Sequence, residues 1–349
     1  MSFAQKLLSW YAENGRDLPW RNTKDPYIIW LSEIILQQTR VEQGMPYFYR
    51  FVEAFPTVEA FSRAEEEEVL RLWQGLGYYS RARNMHKAAK MVMELYGGEF
   101  PAAYDKVIKL SGVGEYTASA IASFSAGEKR AVLDGNVFRV LSRYLAIDVP
   151  INTTHGKKVF SEVAEEMMSA EQPGLYNQAI MDFGATVCKP RGPLCSSCIF
   201  RYECAALQQG VVSELPKKIK GKASRNRYFN YFIIENENGI LMSQRPEGDV
   251  WANLFEFPLI ETEQLLTQEE LVETDAFKQH FGPSEVHQIG KTVKHVLSHQ
   301  NIFANFYRII KPVDLEQKKA NWCYYNSENL DKLAKHKLIF TFIDKYMLN

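Results

Sequence analysis

Four of the chain's five cysteines, Cys188, Cys195, Cys198 and Cys204, fall within 17 residues in the spacing C-x6-C-x2-C-x5-C. So dense a group in a reducing compartment argues for a metal site and against a disulfide scaffold. A structural zinc usually takes two close cysteine pairs. Here Cys195 and Cys198 make one close pair, flanked by two outliers. Four thiolates on a short looping segment suit a [4Fe–4S] cluster. Iron–sulfur is therefore the first reading, zinc the second and four buried free thiols the third. The stretch Lys189-Pro190-Arg191-Gly192-Pro193 between the first two ligands is basic and stiff. Fixed by a metal site, it is a candidate phosphate clamp. Cys323 stands apart and is expected to be an ordinary buried thiol.

The rest of the chain divides around a change of period. Up to residue 225, apolar residues recur at three- and four-residue spacings, as in Val69, Leu70, Trp73 and in Val159, Val163, Met167, which predicts helices. The basic stretch Pro216 to Lys222 reads as a linker. Beyond it come β-prone runs: Tyr228 to Ile234, an Asn238-Gly239 turn, and Ile240 to Gln244, a hairpin signal. Asn253 to Pro258 and Ile302 to Ile310 are further strand candidates. Helices are expected over Thr267 to His280 and from a cap near Ser327 to Tyr346. The expected division is a helical domain 1–208 carrying the cysteine loop, a linker 209–225 and an α+β domain 226–349. A length of 349 residues agrees with about two domains.

The net charge is −1, from 41 basic and 42 acidic residues, which excludes polyanion binding driven by bulk charge but leaves a local patch open. The balance is uneven: residues 1–225 carry +3 and residues 226–349 carry −4. A polyanion is thus expected on the helical part. No apolar run approaches the ~18 residues of a membrane span, and the N-terminus has no basic-then-apolar leader pattern. A cytoplasmic protein is expected.

Three short stretches could carry chemistry. Leu110-Ser111-Gly112-Val113-Gly114 joins two helix-like segments, and its glycines allow positive φ and a close backbone approach to an anion. By itself this reads first as a plain helix–helix turn. Asp25-Pro26 caps a helix expected to run through Gln38, with Glu33, Gln37 and Arg40 on one polar stripe. Ile28, Leu31, Ile34 and Ile35 cover most of its remaining surface, so that stripe is expected to face a cleft. A partly desolvated Glu33 carboxyl could then hold a proton for donation. Asp134, before a helix running to Leu145, is read locally as a cap.

Hairpin, aspartate and cysteine loop, in that order, resemble the helix-hairpin-helix DNA glycosylase superfamily that includes endonuclease III. Trp30-Leu31-Ser32-Glu33, Leu36-Gln37-Gln38-Thr39, Gly75-Leu76-Gly77-Tyr78-Tyr79-Ser80-Arg81 and the second domain are most similar to its MutY-type adenine glycosylase branch. The resemblance implies an all-α glycosylase region with a [4Fe–4S] cluster and a C-terminal Nudix-like α+β domain. It implies that the substrate is double-stranded DNA containing adenine mispaired with 8-oxoguanine or guanine, bound by a monomer. Glu33 would protonate adenine, Asp134 would stabilise the sugar cation, and Asn136 would hydrogen-bond in the same pocket. Tyr116 stands where strand-nicking relatives carry a Schiff-base lysine, which implies a monofunctional enzyme. Gln38 and Tyr78, with Arg81 nearby, would enter the base stack. Gly112, Gly114, Lys189 and Arg191 would hold phosphates. Leu297-Ser298-His299 would read the oxidised base, with Ser298 as the hydrogen-bonding group and Leu297 where the family commonly has an aromatic. No Nudix hydrolase box is present, so this domain is expected to bind without hydrolysing nucleotides. A thymine glycosylase acting on G·T mismatches and a non-catalytic iron–sulfur DNA-binding protein remain as rivals.

Overall fold

The computed structural model describes residues 1–221, 224–310 and 321–347. They form two compact units, 1–64 with 83–220, and 65–82 with 221–349. Residues 65–82, which carry the Gly75–Arg81 motif, thus group with the C-terminal part of the chain.

The first unit is helical, as its spacing predicts. It contains α1 (Phe3–Asn14), α2 (Pro26–Leu36), α3 (Val41–Ala54) and α4 (Val58–Arg63). After α5 (Glu66–Leu72) of the second unit, α6 (Ser80–Tyr96) leads back. Then follow α7 (Tyr104–Val107), α8 (Glu115–Ile121), α9 (Gly135–Tyr144), α10 (Thr154–Met167), α11 (Pro173–Thr186) and α12 (Ala205–Gln208). Local chemistry sets the starts. Ser2 and Gln5 form a capping box on α1, Asp25 caps α2 with Pro26 at its first position, and Asp134 caps α9. Phe3, Val137, Leu141, Phe160, Phe183 and Phe200 pack in one core. Phe200 belongs to the cysteine loop and stacks on Phe3, ring centroids 4.5 Å apart, so the loop is rooted in that core.

The stretch 217–219 is not free chain. Ile151 N donates to the Lys217 carbonyl at 3.0 Å, and the Asn152 side chain makes two 2.8 Å hydrogen bonds to the Ile219 backbone. Lys222, the last residue of the basic stretch, lies outside the described residues.

The second unit adds two sheets. In the first, β1 (Arg225–Ile233) and β8 (Gln300–Ile309) run parallel at the centre. β5 (Leu259–Thr262) pairs with β1, while β6 (Val286–Gln288) and β7 (Val293–Val296) pair with β8, all antiparallel. The second sheet holds β2 (Glu235–Asn236), β3 (Gly239–Gln244), β4 (Phe255–Glu256) and β9 (Trp322–Tyr325). Along β1, Phe229, Tyr231 and Ile233 pack with Phe342 and Ile339 of one core, and Phe232 with Phe277 and Phe281 of another. That alternation is why the central strands read as nearly continuous apolar runs.

Several sequence expectations need correction. The run from Tyr228 is the parallel partner of β8, and the tight hairpin is β2–β3, with Asn236 opposite Gly239. Gly239 has φ +116°, and a Cβ there would lie 2.1 Å from the Tyr325 carbonyl oxygen. Only Phe255–Glu256 of the Asn253–Pro258 run is strand. The helix expected over Thr267–His280 is two, α13 (Gln268–Val272) and α14 (Asp275–Phe281), because Thr274 caps a new start on Phe277 N. The one expected after Ser327 is also two, α15 (Ser327–Lys332) and α16 (Lys337–Tyr346). Between them Lys335 bridges in parallel to Phe255, which holds the chain extended. Cys323 is exposed, not buried.

Candidate active site

The first unit contains a cavity of about 400 Å³ lined by Glu33, Tyr116, Asp134 and Asn136, a size typical of small-molecule sites. Helix α2 explains why a carboxylate sits inside it. Eight of its residues, Tyr27, Ile29 to Ile35, are buried, so a polar residue in that run is carried inward with its neighbours. The helix stops at Leu36, earlier than expected. Gln37 turns to Thr117 Oγ1 at 3.1 Å, and Gln38 takes φ +59°. The expected Glu33–Gln37–Arg40 stripe therefore does not form. Arg40 is exposed and caps α3.

Tyr116 Oη donates to Glu33 Oε2 at 2.8 Å. Burial pushes the Glu33 carboxyl up to about 7; the Tyr116 hydrogen bond opposes this, the Asp134 charge adds to it, and Arg21 opposes it. Asp134 Oδ1 accepts from Asn136 N and Val137 N, both at 2.8 Å, and Oδ2 accepts from Asn136 Nδ2 at 2.7 Å. The local reading of Asp134 as a cap is thus correct, and the cap lines the cavity with its carboxylate. Burial still raises its pKa against the three donors.

Around these groups lies a polar frame that sequence reasoning missed. Asp182 is fully buried and pairs with Arg16 at 2.5 Å and Arg21 at 2.6 Å. Burial works to raise the Asp182 pKa, but the two guanidiniums hold it below the usual carboxylate range. Arg139 joins Asn136 Oδ1 (2.8 Å) to the backbone of the cysteine loop at Cys188 O (2.7 Å). Arg143, one turn on, donates to Lys189 O at 2.8 Å and reaches Cys188 Sγ at 3.4 Å. The i, i+4 spacing of Arg139 and Arg143, on the face of α9 that also carries Asn136 and Ser142, was the available signal for this pair.

Cys188, Cys195, Cys198 and Cys204 line one small cavity together with Arg143 and Val187. Burial pushes the Cys198 thiol up to about 11, and its three sister thiols add to that shift. Four sulfurs sharing one apolar setting fit a cationic metal centre, which favours thiolates where the protein alone opposes them. Among the described residues no group of His, Cys, Asp and Glu is arranged around a single metal ion.

The other predicted site residues are spread over both units. Gly112 has φ +73°, and a Cβ there would meet Asn84 Cβ at 2.6 Å; Gly114 has negative φ and caps α8. Lys189 is half-buried and Arg191 exposed. Tyr78 is exposed with φ +50°, an uncommon conformation for a bulky side chain. Arg81 lies over the Tyr78 and Trp73 rings and donates to Gly77 O at 3.2 Å. Ser298 and His299 are exposed in the β7–β8 turn, with Ser298 Oγ 3.1 Å from His299 Nδ1. A wider depression of about 720 Å³ lies near Asp25, Tyr96 and Phe100. Its acids are Asp25, which is committed to capping α2, and Glu99.

Residues 31–166 match the family profile of the HhH-GPD superfamily of base excision DNA repair proteins, and residues 230–345 match the NUDIX domain. The adenine DNA glycosylase of Buchnera aphidicola subsp. Baizongia pistaciae is 33% identical over 331 residues, spanning 94% of this chain and 92% of that protein. The chain belongs to the adenine DNA glycosylase family. It is accordingly a hydrolase of base excision repair, with DNA as its partner. The human adenine DNA glycosylase is 32% identical over 92% of this chain and 70% of its own length. Among solved structures, a thermostable thymine-DNA glycosylase superposes with TM-score 0.56 at 29% identity, covering 59% of this chain and 95% of that one. A non-covalent endonuclease III–DNA complex shares the fold, with TM-score 0.52 at 22% identity over 59% of this chain and 94% of that one. The helical glycosylase region and Nudix-like domain expected from sequence are thus both present. Among the described residues no helix is long and apolar enough to cross a membrane.

Proposed function

We propose that this glycosylase removes adenine paired with 8-oxoguanine or guanine by acid-assisted hydrolysis in the Glu33–Asp134 cavity. The observation that carries the reading is Glu33, a buried carboxyl poised near neutral pH in a cavity that Asp134 also lines. Its target atom is hidden inside a duplex, so adenine must first be flipped out. Glu33 then gives its proton to N7 of adenine. The C1′–N9 bond breaks, its electron pair leaves with the base, and positive charge develops on the sugar. Asp134, held by Asn136 and two backbone amides, stabilises that charge, the two-carboxylate logic of glycoside hydrolysis. Water adds at C1′ and loses its proton to the carboxylate that acted as acid. Tyr116 offers no amine, and among the described residues no lysine lines the cavity, which supports an abasic product with the strand left intact.

DNA contacts follow the same reading. Gln38 and Tyr78 enter the stack, and their left-handed backbones support this, since strained positions cluster where function holds them. Gly112, Gly114, Lys189 and Arg191 hold phosphates, with Arg81 backing Tyr78. Cys188, Cys195, Cys198 and Cys204 hold a [4Fe–4S] cluster, which when bound anchors the Lys189–Pro193 loop and takes no part in hydrolysis. Chemistry belongs to residues 1–208, and lesion reading by Ser298 and His299 belongs to 226–349, with 209–225 as the link. The enzyme works as a monomer on DNA in the cytoplasm.

The test is base release from A·8-oxoG, A·G and G·T duplexes under single turnover, with strand breaks scored without added alkali. Adenine release with intact strands is expected. Thymine release from G·T would favour the sister activity, and breaks appearing in step with release would overturn the monofunctional assignment.

A further inference from the structure

The second unit carries both the Tyr78 turn and the β7–β8 turn with Ser298, and both rest on one buried dipeptide. Lys335 and His336 lie in the extended link between α15 and α16 and are 3% and 0% exposed. The link is fixed from its own side: Phe255 N donates to Ala334 O at 2.8 Å, and Lys335 Nζ donates to Leu333 O at 2.8 Å and to Leu330 O.

From this link contacts run two ways. Lys335 N donates to Gln74 Oε1 at 3.1 Å, and Lys335 O accepts from Tyr79 Oη at 3.1 Å. Tyr79 Oη in turn accepts from Gly75 N at 3.2 Å, which closes the turn that presents Tyr78. In the other direction the His336 ring stacks on Trp251, centroids 3.8 Å apart and planes 8° from parallel. Trp251 meets His295 of β7 edge-on at 5.5 Å. His295 pairs with Ile302 across the hairpin that ends in Ser298. Trp251 is itself held at φ +61°, a conformation that persists for such a residue only where its surroundings impose it. Glu256 Oε2 at 3.3 Å and Tyr231 Oη at 3.5 Å fix the imidazole from behind.

We propose that Lys335–His336 is a joint positioning element, setting the Tyr78 turn through Gln74 and Tyr79 and the Ser298 turn through Trp251 and His295. It couples the wedge that enters the stack to the loop that reads the opposite base. This rests on the reading above that Tyr78 inserts and Ser298 recognises 8-oxoguanine.

Tyr79→Phe removes only the hydroxyl link, Trp251→Ala removes the stack, and Trp251→Phe keeps a ring. Single-turnover excision is measured for A·8-oxoG and A·G with the full-length, cluster-loaded enzyme, alongside thermal unfolding. Small displacements of positioning groups cost up to ~10²-fold, so about a tenfold fall in the preference for A·8-oxoG is expected for Trp251→Ala. Trp251→Phe should restore it, and Tyr79→Phe should lower it by a smaller factor. The double variant Tyr79→Phe/Trp251→Ala should lose less than the two losses combined, since both act through one support. Strictly multiplicative losses, or equal falls on both substrates that track a lowered unfolding temperature, would overturn the joint role. So would an unchanged preference in both single variants while Ser298→Ala lowers it. If Ser298→Ala also leaves the preference unchanged, the recognition reading fails and takes this inference with it.

Discussion

Each unit buries a glutamate against a tyrosine, and the two pairs differ in what else the carboxylate touches. Glu33 in the helical unit takes a hydrogen bond from Tyr116 at 2.8 Å, and Glu256 on β4 takes one from Tyr231 at 2.9 Å. Both carboxylates are almost completely covered. Glu256 also has Arg245 at 2.7 Å and His336 at 3.3 Å, within a network that continues through Asp249 to Arg227 and Glu261. Among the described residues Glu33 has no ion pair, and it has a cavity before it. A buried carboxylate hydrogen-bonded to a cation holds structure together. One with no cation in direct contact, beside open space, can exchange a proton.

Removing each acid separates the two cases most sharply. Glu33→Gln and Asp134→Asn should each lower single-turnover excision by about 10²-fold or more, the scale of losing a general acid or its charge partner. Folding should be retained, because among the described residues neither carboxylate is in an ion pair and either amide keeps the side chain's shape. Glu256→Gln should do the reverse. It removes one of the two carboxylates that pair with the buried Arg245, leaving Asp249 alone, and should cost stability, read as a lower unfolding midpoint. The chemical step on A·G by the protein still folded should be unaffected. Glu33→Gln with full activity would erase the contrast.

How much of this could be read from the chain alone depended on range. The local signals were reliable: Asp25-Pro26 and Asp134 cap the helices they were expected to cap. The change of period near residue 225 marked the start of the sheets. What failed were features decided by distant partners. Tyr228–Ile234 read as half of a hairpin because its true neighbour, β8, lies some 70 residues on and pairs in parallel. The expected single helices broke where a threonine hydroxyl or a sheet bridge outcompeted apolar periodicity. In the site, Glu33 could be singled out because its helix is apolar on nearly every side. Asp182 with Arg16 and Arg21 could not. Ion pairs across 160 residues leave no trace in spacing.

The cysteine loop gives a smaller effect that sharpens the same contrast, since the proposed role of its charges is on DNA and not on the bond. Lys189→Ala or Arg191→Ala should weaken duplex binding by a modest factor. Each should also reduce the salt dependence of binding by about one phosphate contact. Excision from the bound complex should not change. Titration of binding against salt checks this, and an unaltered slope would remove the loop from the phosphate contacts.

The smallest effect is a shift of pH, and it bears on why Glu33 differs from Glu256. A carboxyl lifted to about 7 by burial is protonated below that pH and ionised above it. Excision limited by proton donation should therefore fall as pH rises through about 7. The linkage to stability has the same sign. The folded value lies above the unfolded one, so the contribution is fullest at low pH and is lost as pH rises through about 7. Glu33→Gln should therefore gain stability relative to the parent on the alkaline side, and the two should converge in acid. The Tyr116 hydrogen bond lowers the Glu33 pKa. Tyr116→Phe should thus move the falling limb of the pH–rate profile to higher pH while lowering its plateau. A limb that stays in place in Tyr116→Phe would mean that some group other than Glu33 sets the profile.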